Sequence, residues 1–154
     1  MSLELKCPPV LLAAILALLI WGSARLLPLP LEADRLVALV WLKYGLSFTA
    51  LLIGVLAVVQ FRRARTTVHP HKPEKANTLV NSGLYRYSRN PMYLALLLLL
   101  TAYTLHEPSW LAPLWLILFV LYMNCFQIRP EERVLKGLFG EEYERYLRRV
   151  RRWI

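Results

Sequence analysis

The chain has 154 residues, a formal net charge of +9 and a hydrophobic fraction of 57%. That fraction is higher than a soluble domain of this size normally carries, so the composition argues against a soluble globular protein. The two cysteines, Cys7 and Cys125, match neither a disulfide framework nor a metal-binding pattern. His69 and His71 lack a third ligand, so the sequence predicts no metal site.

Apolar stretches of about the length that crosses a bilayer, ~20 residues, occur four times along the chain. They predict membrane-spanning helices at residues 9–27, 35–61, 91–105 and 110–128. The first stretch is not a cleavable signal peptide, because no small-residue cleavage site closes it. The connection between the last two is very short, which predicts an antiparallel hairpin. The sequence therefore predicts an all-α integral membrane protein with a single domain over residues 1–154.

Positive charge is concentrated in two segments that border these stretches. Residues 62–89 carry seven Lys or Arg and one Glu, and residues 129–154 carry eight Lys or Arg and five Glu. The positive-inside rule then predicts that a motif loop at residues 62–90, the N-terminus and the C-terminus are cytoplasmic. Nucleic-acid binding is the less favoured interpretation, because both basic segments adjoin apolar helices.

The C-terminal segment predicts a helix of a different kind, over residues 130–150. Its apolar residues recur every three or four positions, and charged residues occupy most of the other positions. Such a helix is too charged to span a membrane, so we expect an amphipathic helix at the cytoplasmic interface or over the bundle. We expect Pro130 to begin it, Glu131 and Glu132 to lie in its first turn, and Gly140 to permit a bend.

Polar side chains that could form a site come from the motif loop and from the start of this tail. The predicted hairpin places Asn90 and Arg129 at the same membrane depth, so the two groups should meet at one membrane face. Arginine binds carboxylates and glutamate binds ammonium or hydroxyl groups, so the set suits a zwitterionic ligand. Gly83 would let the backbone approach that ligand closely. Taken singly, the same residues are equally typical of an aromatic belt, interfacial anchors and helix-dipole partners.

Two blocks of residues carry a resemblance to a known family. The first is Thr78-Leu79-Val80-x-Ser82-Gly83-x-Tyr85-x-x-x-Arg89-x-Pro91-x-Tyr93, and the second is Glu131-Glu132-x-x-Leu135-x-x-x-Phe139-Gly140-x-x-Tyr143-x-x-Tyr146. In this order, and separated by one hairpin, they resemble the isoprenylcysteine carboxyl methyltransferase family, integral-membrane enzymes related to the phospholipid N-methyltransferases. The resemblance covers about residues 60–150.

The resemblance implies a methyltransferase that uses S-adenosylmethionine (AdoMet), releases S-adenosylhomocysteine and holds the cofactor at the cytoplasmic face. We assign catalysis to Arg89 and Glu132. We expect the following residues to bind the cofactor: Asn77, Leu79, Val80, Gly83, Tyr85, Asn90, Pro91, Tyr93, Glu131 and Leu135. The chain departs from the family pattern at Asn77 and Asn90, which replace histidines, and at Ala95, which replaces glycine. Asn90 cannot titrate near neutrality, so a proton-transfer role at that position is excluded.

The expected acceptor is lipophilic, either a prenylated substrate or a membrane lipid, and enters from the bilayer between the helices. Carboxyl O-methylation of the isoprenylcysteine type is favoured, and N-methylation of a phospholipid or small lipid is the alternative. An acceptor carboxylate is already ionised and would be oriented by Arg89. An amine needs a base, and Glu131 or Glu132 is the candidate.

A non-enzymatic scaffold or transporter subunit is the alternative of another class. Such a protein would be expected to carry charges within its spans, lining a path, and Lys43 is the one residue that comes close. Neither nucleic acid nor metal is an expected partner.

Overall fold

A computed structural model describes residues 4–30, 33–63 and 79–154, so Asn77 and most of the motif loop lie outside the described residues. A short 3₁₀ turn (Gly83–Arg86) precedes the third helix, and a π-helical segment (Met123–Ile128) joins the fourth to the fifth. No β-strand occurs in the described ranges, in agreement with the predicted all-α class. The helices are α1 (Pro9–Leu26), α2 (Ala33–Arg63), α3 (Pro91–His106), α4 (Ala112–Tyr122) and α5 (Arg129–Arg149).

Within these ranges, three helices are long and apolar enough to cross a membrane. They are α1, the part of α2 from Val37 to Arg63, and the continuous helix that starts at Ala112. The apolar helix α3 has 16 residues, which corresponds to about 24 Å at 1.5 Å per residue. That is shorter than the hydrocarbon core of a bilayer, ~30 Å. The helices therefore fit an integral membrane protein, and a fourth crossing by α3 stays a prediction.

The connections between helices show that the two ends of the bundle differ. At one end the two short connections meet, where the Leu29 N–H donates to the Pro108 carbonyl at 3.1 Å. At the other end the N-terminal segment reaches the π-helical segment, where the Leu5 N–H donates to the Phe126 carbonyl at 3.0 Å. The motif loop and α5 belong to this second end. Which end faces the cytoplasm stays a prediction.

The core of the bundle lies between α1, α3 and α4. Ile20, Phe119 and Met123 are fully buried there, and Leu16 and Leu100 belong to the same buried cluster. In a membrane, tight van der Waals packing of this kind holds helices together, because lipid tails are as apolar as the side chains.

Helix α2 packs on α3 and presents many large apolar side chains outward. A Cβ at Gly54 would lie 3.6 Å from the Ala95 Cβ, so small residues let the two helix backbones approach closely. Lys43 Nζ lies 3.4 Å from His106 Nδ1 in an exposed contact. The one charge expected within α2 therefore reaches the C-terminal end of α3 and does not line a path through the bundle.

The predicted C-terminal helix is present as α5, but it is not a separate helix. The chain is helical from Ala112 through Pro130 and up to the bend at Gly140. Pro130 has no N–H to donate to the Phe126 carbonyl, and the wider π-helical segment accommodates that missing bond. The Leu5 N–H supplies this carbonyl with a donor. Glu131 and Glu132 therefore do not lie at a free helix N-terminus, and the helix-dipole role expected for them does not apply.

Gly140 bends α5, as the sequence predicted. Its φ of 49° and ψ of −124° are not helical. Beyond the bend, Tyr143 and Tyr146 are buried and pack with Leu79 of the loop and Leu135 of α5. The charged half of α5 is thus fixed to the motif loop, and its position at the membrane interface stays a prediction.

We predict that Phe119→Ala destabilises the protein and that Phe48→Ala does not. Phe119 is 0% exposed in the core, whereas Phe48 is 69% exposed on α2. Removing a buried phenylalanine ring leaves a cavity and typically costs about 3–5 kcal/mol. Thermal unfolding of the detergent-purified variants measures the difference. Equal melting temperatures for the two variants would show that the packing of α1, α3 and α4 is described wrongly.

Candidate functional site

The loop before α3 is fixed to the end of α2 by a glutamine. The Leu84 N–H donates to Gln60 Oε1 at 3.1 Å. Gly83 has a φ of 58°, and a Cβ at this position would lie only 2.4 Å from Gln60 Nε2. The positive φ favours glycine at this position, and a larger residue would also displace the Gln60 amide from the Leu84 N–H. A contact between Gly83 and a ligand stays a prediction.

A cavity of about 690 Å³ lies between α1, α2, α3, the loop and α5. This volume is typical of small-molecule sites, which measure ~300–1,000 Å³. Side chains of α2 and α3 line its apolar part, among them Val55, Val58, Leu96 and Leu99. Its polar part is lined by the following residues: Arg62, Tyr85, Arg89, Asn90, Tyr93, Glu131, Glu132, Tyr143 and Tyr146.

One polar group of this cavity is a cluster of two arginines around one glutamate. Arg89 Nη1 lies 2.8 Å from Glu132 Oε1. Arg152 binds the same carboxylate twice, from Nε to Oε1 at 2.9 Å and from Nη2 to Oε2 at 2.6 Å. The Glu132 side chain is 16% exposed, so guanidinium groups occupy both of its oxygens in a largely water-shielded place. The three side chains together carry one net positive charge.

A second polar group is centred on Glu131. Tyr93 Oη donates to Glu131 Oε1 at 2.5 Å, and Gln127 Nε2 donates to the same oxygen at 2.6 Å. Gln127 comes from the π-helical segment, and Tyr93 comes from the first turn of α3. The π-helical segment therefore supplies the Gln127 amide, and α3 supplies the Tyr93 hydroxyl, to the same carboxylate oxygen of Glu131.

The environment of Glu131 changes its acidity. Glu131 lies in α5, beyond the apolar α4. Burial raises the pKa of its carboxyl to about 7. The charge of Glu132 acts in the same direction, and the hydrogen bonds from Tyr93 and Gln127 oppose it. Glu131 can therefore exchange a proton near neutral pH, whereas Glu132 is an ion-pair partner of two arginines.

Two buried polar atoms, Tyr85 Oη and Arg89 Nε, have no hydrogen-bond partner among the described residues. Buried donors of this kind are rarely left unpaired in native proteins. Burial raises the pKa of the Tyr85 hydroxyl well above its usual range, so the hydroxyl is a neutral donor at physiological pH. Both residues line the cavity, so its wall contains two donors that no acceptor among the described residues satisfies.

The residues after α5 close one side of the site through their backbone. The Arg89 N–H donates to the Arg151 carbonyl at 3.0 Å. Asn90 Nδ2 donates to the Arg152 carbonyl at 3.0 Å, and Ser88 Oγ donates to the same carbonyl at 3.3 Å. The Asn90 amide, which replaces a histidine of the resembling family, therefore holds the C-terminal segment against the loop.

The structure brings most of the predicted site residues to this one cavity. Gly83 and Pro91 are not among its lining residues, and Pro91 is buried at the start of α3. Asn77 lies outside the described residues. The predicted residues that line the cavity are Leu79, Val80, Tyr85, Arg89, Asn90, Tyr93, Glu131, Glu132 and Leu135.

Tyr143 and Tyr146, which belong to the second motif block, also line the cavity but were not assigned to the site from the sequence. Two residues that hydrogen-bond the glutamates, Gln127 and Arg152, were not predicted either. Gln127 is four positions before Glu131, which is one helical turn, and it is the last uncharged polar residue of an apolar stretch. That spacing could have identified it. Arg152 lies in a basic C-terminal segment with Arg148, Arg149 and Arg151, and nothing in the pattern distinguishes it from its neighbours.

Comparison with known proteins identifies the family. A sequence model of the family described as phospholipid methyltransferase matches residues 38–142, which is more than half of the chain. Over 63 residues the chain is 52% identical to an uncharacterized protein of Haemophilus influenzae, and this alignment covers 41% of the chain and 100% of that protein. No solved structure gives a significant match. The range matched by the family includes most of α2, all of α3 and α4, and the Glu131–Glu132 pair, and on this ground the chain belongs to the phospholipid methyltransferase family.

Proposed function

We propose that this protein transfers a methyl group from AdoMet to a lipophilic acceptor at the membrane, with isoprenylcysteine-type carboxyl O-methylation as the favoured reaction. Membership of the family indicates a membrane methyltransferase. The observation that carries the proposal further is the division of the cavity. Charged groups and unpaired donors line one part, and apolar side chains of α2 and α3 line the other.

The residues of the polar part fit AdoMet. This cofactor carries a carboxylate, an ammonium group and a sulfonium cation, and when bound it supplies a methyl group activated by the sulfonium. The unpaired Arg89 Nε and Tyr85 Oη are donors suited to a carboxylate. Glu131 supplies a carboxylate to a cationic group, while the cavity wall beyond it is apolar. The positive charge of residues 62–89 and 129–154 supports a cytoplasmic position for this end of the bundle and for both termini.

The apolar part of the cavity suits the tail of a lipophilic acceptor. Leu99 lies nine residues beyond Asn90 on α3, which is about 13 Å along the helix axis. Val55 is 52% exposed where the cavity meets the outer surface of α2, so the mouth is open to lipid. An acceptor tail can therefore lie between α2 and α3 while its reactive group reaches the polar part. A membrane lipid or a prenylated molecule meets this requirement.

The two acceptor chemistries make different demands on the site. An acceptor carboxylate is ionised at neutral pH and needs orientation and charge placement rather than a base. An acceptor amine must lose a proton, and the geometry favours Glu131 over Glu132 for that task. Arg89 and Arg152 occupy both oxygens of Glu132, whereas the pKa of Glu131 is about 7. This property of Glu131, with the family described as phospholipid methyltransferase, supports N-methylation of a phospholipid or small lipid as the second candidate.

We predict that the purified protein binds AdoMet and S-adenosylhomocysteine and that Arg89→Gln and Glu132→Gln weaken this binding. Hydrogen bonds to charged groups contribute about 1.5–3 kcal/mol, so the loss should be ~10–100-fold. Calorimetric titration in detergent measures it. Arg86→Gln is the matched control, because Arg86 is exposed in the same loop and does not line the cavity. Folded wild-type protein without affinity for either compound would overturn the proposal.

The acidity of Glu131 gives a prediction about pH. Between pH 6 and pH 8 the carboxyl with a pKa of about 7 loses its proton, and the carboxylate then attracts the sulfonium cation of AdoMet. We expect the affinity for AdoMet, relative to that for the uncharged thioether S-adenosylhomocysteine, to rise over this range. Glu131→Gln should weaken this rise, because it removes the titration of Glu131 and leaves that of the ligand amino groups. An unchanged pH profile in this variant would contradict the role of Glu131.

We predict that Val55→Trp reduces methyl transfer to the acceptor and leaves AdoMet binding unchanged. A tryptophan at the mouth of the cavity would fill the space between α2 and α3. Transfer of labelled methyl groups from AdoMet to prenylcysteine or phospholipid acceptors identifies the acceptor and then compares the variants. Val37→Trp is the control, because Val37 is 65% exposed on the same helix and lies away from the cavity. Equal activity of the two variants would place the acceptor elsewhere.

A further inference from the structure

We propose that Arg152 is a positioning residue of the site, which keeps the Arg89–Glu132 pair net positive and thereby selects a ligand that carries a carboxylate. This inference rests on the proposed AdoMet-binding function and adds to it a residue that neither the motif blocks nor the family match includes, since the match ends at residue 142.

The contacts of Glu132 show how Arg152 acts. Arg89 reaches only Oε1, at 2.8 Å, whereas Arg152 binds both oxygens at 2.9 and 2.6 Å. A guanidinium with two parallel hydrogen bonds fixes both the position and the rotation of a carboxylate. Glu132 in turn fixes the guanidinium of Arg89. The orientation of Arg89 in the cavity therefore depends on Arg152, which acts on it through Glu132.

The charges of the cluster give the arrangement a chemical consequence. A pair formed by Arg89 and Glu132 alone would be neutral, and a neutral pair attracts an incoming anion weakly. With Arg152 the cluster has one net positive charge in a place where the Glu132 side chain is 16% exposed. Charge interactions are stronger in such a shielded place than in water. Arg89 Nε, buried and without a partner among the described residues, is the donor that this charge makes available to a carboxylate.

The side chain of Arg152 can be tested apart from its backbone. The C-terminal segment is attached to the loop through the carbonyls of Arg151 and Arg152, which accept hydrogen bonds from Arg89 N–H and Asn90 Nδ2. A substitution of the Arg152 side chain leaves these carbonyl contacts in place. Arg151 supplies the matched control, because it is exposed and contributes its backbone to the same attachment.

The experiment compares two ligands, AdoMet and decarboxylated AdoMet, which lacks the carboxylate but keeps the sulfonium and the amine. Calorimetric titration gives the affinity of each for wild-type protein, Arg152→Gln, Arg152→Lys and Arg151→Gln. We expect the wild-type protein to prefer AdoMet and Arg152→Gln to bind AdoMet about 10-fold more weakly. The affinity of Arg152→Gln for decarboxylated AdoMet should change much less, so the ratio of its affinities for AdoMet and for decarboxylated AdoMet should fall. Arg152→Lys keeps the charge and should restore part of the preference, and Arg151→Gln should behave as the wild type.

The outcomes separate this inference from the function on which it rests. Wild-type protein that binds neither compound would overturn the proposed function and the role of Arg152 with it. Wild-type protein that prefers AdoMet, together with an Arg152→Gln variant that keeps the full preference, would overturn the role of Arg152 alone. An equal loss of affinity for both compounds would also overturn it, because a residue that only supports the fold affects both ligands alike.

Discussion

The carboxylate of Glu132, held between two guanidinium groups, joins the three segments that build the site. Arg89 comes from the motif loop, Glu132 from the start of α5 and Arg152 from the residues after α5. A single carboxylate in a largely shielded place would be unfavourable, and two arginines in contact would repel each other, so each of the three needs the others. This ion-pair cluster therefore adds to the apolar packing and the backbone hydrogen bonds that hold the loop, α5 and the C-terminal segment together.

The π-helical segment determines which side chains reach that cluster. It ends two residues before Pro130, whose missing N–H prevents a regular helical bond to the Phe126 carbonyl. Its wider turn carries the chain from the apolar α4 into the charged α5 without a break, and it brings the buried Gln127 to Glu131. π-helical turns of this kind occur often at functional sites. Here the turn allows one helix to serve both as a wall of the bundle and as a wall of the site.

Much of the fold and part of the site could be predicted from the sequence. Apolar stretches gave the positions of the helices, because the bilayer requires a certain length of apolar helix, and the motif blocks identified Arg89, Glu131 and Glu132. The continuity of α4 and α5 could not be predicted, since Pro130 usually signals the start of a new helix, and the donor that satisfies the Phe126 carbonyl is the N–H of the distant Leu5. The role of Arg152 could not be predicted either, because Arg152 reaches Glu132 only when the C-terminal segment packs against the loop in the folded protein.

The shortness of α3 has a consequence for the bilayer around the protein. A helix of 16 residues is about 24 Å long, and its neighbour α2 has 31 residues. Where α3 crosses the bilayer as the sequence predicts, the lipids beside it would have to thin locally to match its length, since exposing apolar side chains to water or leaving the helix ends in hydrocarbon would be less favourable. The cavity is lined by these same two helices, so this thinning would bring the headgroups closer to the charged residues of the site. A molecule dissolved in the membrane would then travel a shorter distance to reach water-soluble chemistry.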